Sequence, residues 1–201
     1  MGKPPPHGQN PPPPPPDADT LHEAALSYLA RYAATEAGLL RVLQRRIDRW
    51  AHQAQDSEAD RDAVAAQAAA AAEAAGAVVA RLAAAGAIND TAFAESKVRT
   101  LVRTGRSRRA IGAHLAAKGV DPETLRGVLP EGGADAELAA ALVLARRRRI
   151  GPFRAGNAPD AEGRHRELAI LARAGFPQAV AQHALALDPQ QAEALVNQLR
   201  R

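Results

Sequence analysis

Apolar residues recur three and four apart along most of this chain, and the interruptions fall where helices stop. Leu21, Ala25, Tyr28, Leu29 and Tyr32 form a first stripe, opened by Thr20 as cap with Glu23 three residues on. After Thr35, Leu39, Leu40, Val42, Leu43 and Ile47 face inward, while Arg41, Arg45, Arg46 and Arg49 fall mostly outward. Residues 51–76 are polar and then alanine-rich, which predicts a long helix running to about Ala85 before a Gly86 stop. Only its end, with Val78, Val79 and Leu82, has bulk to pack. Asp90 caps the next helix, in which Phe93, Ala94, Lys97, Val98 and Leu101 lead to Gly105. Ser107 caps another, with Ile111, Leu115 and His114 on its inner side and Gly119 as its stop. Asp121-Pro122-Glu123 restarts the chain with a cap, a first-turn proline and a first-turn acid. Glu131-Gly132-Gly133 breaks it again. Helices are then predicted over 135–149, over about 161–174, after Gly175-Phe176-Pro177, and finally after Asp188-Pro189. The fold class is all-α.

Two of these segments repeat. Leu115-Ala-Ala-Lys-Gly119-Val120 has Leu129 ten residues past its glycine, and Leu171-Ala-Arg-Ala-Gly175-Phe176 has Leu185 at the same distance. Each is preceded by a helix, at 93–104 and 135–149. The first part of the chain fits the same three-helix plan, so the pattern predicts three tandem three-helix repeats in an extended, curved array. Residues 20–89 form the first repeat with an elongated third helix, 90–132 the second with a basic motif, and 133–187 the third. Residues 188–201 are a tail or short helix. Residues 1–19, with Pro4–Pro6 and Pro11–Pro16, read as a disordered proline-rich tail.

Composition narrows the class further. Hydrophobic residues reach 46%, but much of this is alanine and aromatics are only 3%, so the core relies on scattered Leu, Ile and Val and on close helix contacts. Cysteine is absent, which excludes a disulfide framework, a thiolate nucleophile and a Cys-type zinc site. No run approaches the roughly 20 consecutive apolar residues of a membrane span, and prolines stand where a secretory signal would carry its apolar region. The expectation is a cytoplasmic protein without a membrane partner.

Charge is unevenly placed. The net value is +4, yet residues 93–154 hold 13 Lys and Arg against 6 Asp and Glu. Most of this excess is arginine, which forks onto phosphates and carboxylates, so the middle of the chain suits a polyanion or an acidic protein. Arg103, Arg106, Arg108 and Arg109 surround a predicted helix N-terminus, where arginine opposes the helix dipole. A solvated charge run and a partner surface account for them equally well. Arg146, Arg147, Arg148 and Arg149 end a helix, where positive charge is locally favourable, although four in a row must point at least one outward.

Catalytic arrangements are missing. The six histidines, at 7, 22, 52, 114, 165 and 183, form no HExxH pattern, and no GxGxxG, GxxxxGK[ST] or GxSxG occurs. Ser107 reads as a helix cap, His114 and His183 as packing residues, and Trp50 as a partly buried core residue. The expectation is a binding protein with no catalytic residue, metal or cofactor.

Three stretches resemble the RecX family of RecA regulators: "ALSYLARYAATEAGLLRVL", "LAAAGAINDTAFAESKVRTLVRTGRSRRAIGAHLAAKGV" and "RELAILARAGF". The resemblance covers roughly residues 21–187. It implies three tandem three-helix repeats that lie in the groove of the RecA filament. Such proteins limit filament growth, ATP turnover and strand exchange in recombination and the DNA-damage response, without being enzymes. It points to Arg99, Arg103, Arg106, Arg108, Arg109 and Lys118 as the matching basic residues. The chain departs from the family pattern at Gly38, where an acid is usual, in the alanine-rich insertion at 51–76, and in the proline tail. The expected partners are the RecA filament and, weakly and without sequence preference, single-stranded DNA, with the protein acting as a monomer. Two other functions fit the residues: a sequence-nonspecific DNA-binding protein with 107–118 in a groove, and a helical-repeat adaptor without nucleic acid.

Overall fold

The computed structural model describes residues 13–57, 60–129, 133–157 and 159–198. Among them lie ten helices and no strand: α1 (Ala18–Leu29), α2 (Glu36–Asp56), α3 (Arg61–Ala84), α4 (Asp90–Arg103), α5 (Arg108–Lys118), α6 (Pro122–Val128), α7 (Ala134–Arg148), α8 (Ala161–Arg173), α9 (Gln178–Ala186) and α10 (Pro189–Gln198). A single 3-10 turn, Gly151–Phe153, follows α7. The all-α class is thus observed. The chain divides into two compact units, Met1–Asp90 and Thr91–Arg201.

In the first unit, α3 packs along α1 and α2. Leu39, Leu43, Ile47, Trp50 and Ala54 follow one face of α2 at spacings of three and four, and all are buried. Leu40 is rotated off that face and is 39% exposed, and Tyr32 lies past the end of α1 and is 56% exposed. The inward assignment of these two residues is corrected. Helix α1 starts earlier than expected, because Asp17 is the cap and Thr20 its third residue, the two side chains and backbones closing a capping box. The long helix expected over 51–85 is two helices. Residues 51–56 finish α2, and Asp60 restarts the chain by accepting from the Asp62 N–H.

The disorder expected over 1–19 does not hold for residues 13–19, which are ordered against the first unit. Residues 1–12 lie outside those described, but the Trp50 indole Nε1 donates to the Pro13 carbonyl at 2.7 Å, and Pro16 is buried. A buried indole N–H needs an acceptor, and a proline carbonyl supplies one despite the missing proline N–H. Asp90 also differs from its expected role. It is the first residue of α4, and its carboxylate accepts the N–H of Glu36 at 2.9 Å. By length and hydropathy α3 alone among the described helices could span a membrane; its Ala71, Ala75, Val78, Val79 and Leu82 instead fill the core of this unit.

The second unit has two linked cores. Ala94, Val98, Ile111, Leu115 and Val120 pack α4 to α5. Around α7, residues Leu138–Val143 are buried without a break, because α8, α9 and α10 all pack on this helix. Ala192 and Val196 of α10 belong to that core, so Pro189–Gln198 is a packed helix, and the rest of the expected tail lies outside the described residues. Leu115 and Leu171, four residues before their glycines, are both fully buried. Each returns its carbonyl to the N–H beyond the glycine, from Val120 at 3.1 Å and from Phe176 at 3.2 Å. Of the expected break at 131–133, only Gly133 lies among the described residues, immediately before α7. Asp121 accepts from the Glu123 and Thr124 N–H groups at 2.9 Å each and starts α6. Its carboxyl is held below the usual range, first by the Thr124 side chain and then by the backbone there.

Candidate nucleic-acid interface

The turn after α4 organises the basic residues. Gly105 has φ 73°, which lets the Arg106 N–H return to the Leu101 carbonyl at 3.1 Å. A Cβ at Gly105 would stand 2.8 Å from the Leu144 nitrogen and 2.9 Å from the Ala140 oxygen, so this turn rests directly on the backbone of α7. Only a residue without a Cβ permits that approach. Next to it Ser107 is fully buried, accepting from the Ala110 N–H at 3.1 Å and donating to the Ala174 carbonyl at 2.7 Å. The Arg108 N–H meets both oxygens of Glu137, at 3.1 and 3.3 Å. The turn between α4 and α5 is therefore clamped between α7 and the α8–α9 junction.

That clamp gathers arginines from three places. Arg106 lies with Arg147 and Arg148 of α7 and Arg173 of α8 around a cleft of about 450 Å³. Arg147 Nη1 donates to the Thr104 carbonyl at 3.0 Å, which fixes one guanidinium over the turn. None of the four has a carboxylate at ion-pair distance among the described residues. The cleft thus presents concentrated positive charge with hydrogen-bond donors in fork geometry, the arrangement that holds phosphate oxygens.

The basic surface continues from Arg106 onto α5. The His114 imidazole is held below its ordinary pKa of 6.5, first by partial burial and then by Lys118, Lys97 and Arg106. Lys97 stands 5.5 Å from the centre of the Phe93 ring. His114 and His183 are both exposed, which corrects their assignment as packing residues. The ring of His114 lies off the buried line of Ile111 and Leu115.

The other residues singled out in the sequence separate. Arg99 is exposed and 3.9 Å from Glu95, a contact that is worth little at that exposure. Arg103, at the end of α4, is exposed. Arg108 and Arg109 line a different groove, with Glu137, Phe176 and Val180. Lys118 is in the last turn of α5. Arg146 is pinned to Glu193 of α10 at 3.0 Å and serves packing, and Arg149 caps α7 in a left-handed conformation. Sequence reasoning missed Arg173, Lys97 and His114. Arg173 lies two residues before the glycine of a repeated segment, and the repeat was the only signal that could have brought it beside the second-repeat turn.

Comparison with known proteins agrees with this organisation. A family model described as RecX, second three-helix domain, matches residues 89–129, the stretch that holds α4, α5 and α6. A regulatory protein RecX of Myxococcus xanthus is 39% identical over 172 residues, spanning 84% of this chain and 86% of its own. Two crystal structures share the fold. One, of regulatory protein RecX, has a TM-score of 0.57 at 20% identity and covers 82% of this chain and 70% of its own. The other, of RecX from Lactobacillus salivarius, has a TM-score of 0.54 at 18% identity and covers 89% and 97%. Identity at this level over most of both chains, with the all-helical fold beneath it, shows that this chain belongs to the RecX family of regulatory proteins.

Proposed function

We propose that this protein regulates RecA by binding the RecA–DNA filament and restraining its growth, ATP turnover and strand exchange. It acts by binding and not by catalysis, in the cytoplasm and as a monomer. Three tandem three-helix repeats, over 20–89, 90–132 and 133–187, would each offer the filament a contact surface of its own. The observation that carries the reading is the cleft in which Arg106, Arg147, Arg148 and Arg173 stand together with no carboxylate at ion-pair distance among the described residues. Phosphates of the DNA, or acidic groups on the filament, would enter it, with Arg103, Arg108, Arg109, Lys118 and Arg99 as flanking charges. Each contact is weak alone, and the contacts add through effective concentration once one is made.

The test is to titrate the full chain into RecA assembled on single-stranded DNA and to follow ATP turnover. The reading expects turnover to fall while the DNA stays intact and no nucleotide is consumed by the protein itself. Binding to naked DNA with RecA turnover unchanged would leave a plain DNA-binding protein instead.

A further inference from the structure

The first unit carries a second surface of a different kind. A groove between α1 and α2 is lined by Tyr28, Tyr32, Arg31, Arg46, Arg49 and Glu23. The two tyrosines are the only two in the chain, and their ring centres lie 5.1 Å apart with the planes tilted by 40°. Tyr28 is half-buried against the core, whereas Tyr32 presents 56% of its surface. Arg31 Nε donates to the Ser27 carbonyl at 3.2 Å and Arg49 Nε to the Arg45 carbonyl at 3.3 Å, which fastens the first side chain to the end of α1 and the second to α2. Neither these two nor Arg46 has a carboxylate at ion-pair distance among the described residues.

We propose that this groove binds single-stranded nucleic acid, with an unstacked base on the exposed Tyr32 ring and the neighbouring phosphates on Arg31, Arg46 and Arg49. An aromatic face between guanidiniums is the combination that single strands use, because every free base offers a π-face and every linkage a charge. A duplex hides its base faces in the stack, so it would use the arginines and leave the tyrosines idle. An acidic peptide would likewise answer the charge and not the ring. Glu23, which also lines the groove, reduces the net charge, which makes stacking the larger part of the recognition. Three phosphate contacts to a single strand correspond to a log–log salt slope of about −2.

The proposal goes beyond the filament-binding reading, and its test uses DNA without RecA, so the two fail separately. An oligothymidine carrying 5-iodouracil is photo-crosslinked to the full chain and the crosslinked residues are mapped. Crosslinks at Tyr28 or Tyr32 are expected. Tyr32→Ala should lower their yield about tenfold or more, and Tyr32→Phe should keep it, since the ring and not the hydroxyl does the stacking. A circular-dichroism spectrum equal to the parent's checks that the exposed substitution leaves the fold intact. Crosslinks confined to residues 91–201, no crosslink at all, or equal yields from the parent and Tyr32→Ala would overturn the proposal. So would displacement of the oligonucleotide by poly-glutamate as readily as by unlabelled oligothymidine, which would mark an acidic protein surface. Crosslinking at the tyrosines together with unchanged RecA turnover would sink the filament reading and leave this site standing.

Discussion

The Ser107 hydroxyl donates to the carbonyl of Ala174, 67 residues further along, while the same oxygen accepts the N–H of Ala110. One buried atom thus caps α5 and ties it to the end of α8. Replacing Ser107 by Ala leaves both partners unmatched in a dry site, at a cost of about 1–3 kcal/mol. Thermal unfolding should show a lower midpoint with the helical spectrum retained. An unchanged midpoint would mean the two partners find water. Gly175→Ala attacks the same contact from the other side, because its Cβ would meet Ser107 Oγ at 2.7 Å and φ there is 90°. It should destabilise as well.

Leu115 and Leu171 hold corresponding places before Gly119 and Gly175, and neither has any exposed surface. Truncation of either to Ala should cost about 2–5 kcal/mol, the range for a buried leucine whose cavity does not collapse. Urea unfolding of each variant measures it. A cost near zero at one site alone would show that the two repeats pack differently there.

Arg149 is the one non-glycine among the described residues with positive φ, at 55°. Its position matches Gly105, since the Ile150 N–H returns to Ala145 at 3.0 Å as Arg106 does to Leu101. A residue with a Cβ gives up roughly 1–2 kcal/mol in this conformation, partly offset by the entropy a glycine adds to the unfolded chain. Arg149→Gly should therefore be neutral or stabilising by about 1 kcal/mol or less, and more stable than Arg149→Ala. Glycine no better than alanine would contradict this. The same variant tests the charge at 149 without a folding penalty.

His114 should make folding, and the proposed DNA binding, depend on pH. Its folded pKa lies below the ordinary 6.5, so between the two values the unfolded chain holds more protons. Stability is undisturbed above that window and falls as pH drops from 6.5 through the folded value. A phosphate beside Lys97, Lys118 and Arg106 would reverse the shift, so DNA binding should take up a proton and tighten as pH falls below 6.5. His114→Gln should flatten both profiles. A wild-type binding curve with no pH dependence between 5.5 and 8 (a range of about two and a half units around the imidazole value) would place the phosphates elsewhere.

The sequence carries the helices well, because glycine stops and polar caps are local signals. Gly105, Gly119, Ser107 and Asp121 act where their neighbours alone imply. Position along the chain is a poorer guide to burial. Leu40 and Tyr32 satisfy a helical stripe, yet the stripe through Leu39, Leu43 and Ile47 takes the core and leaves them outside. Proline composition misleads at Pro13, whose carbonyl meets an indole 37 residues away. The basic site was half legible. Arg106, Arg147 and Arg148 stand out by number, but Arg173 joins them only through the contact of Ser107 with the α8–α9 junction, and Arg146 leaves the set because Glu193 faces it from α10.

The central claim is that the arginine cleft carries the restraint of RecA. Arg106→Ala, Arg148→Ala and Arg173→Ala combined in one chain remove three of its charges and spare Arg147, whose bond to the Thr104 carbonyl supports the turn. These surface changes should each disturb folding by no more than about 0.5 kcal/mol, and three lost phosphate contacts should flatten the log–log salt slope of DNA binding by about 2 to 3. The deciding measurement is RecA-dependent ATP turnover on single-stranded DNA with parent and triple variant titrated side by side. The account predicts that the folded variant leaves turnover near its uninhibited rate at concentrations where the parent suppresses it. A folded variant that inhibits as strongly as the parent would contradict the account and reduce these arginines to a solvated surface.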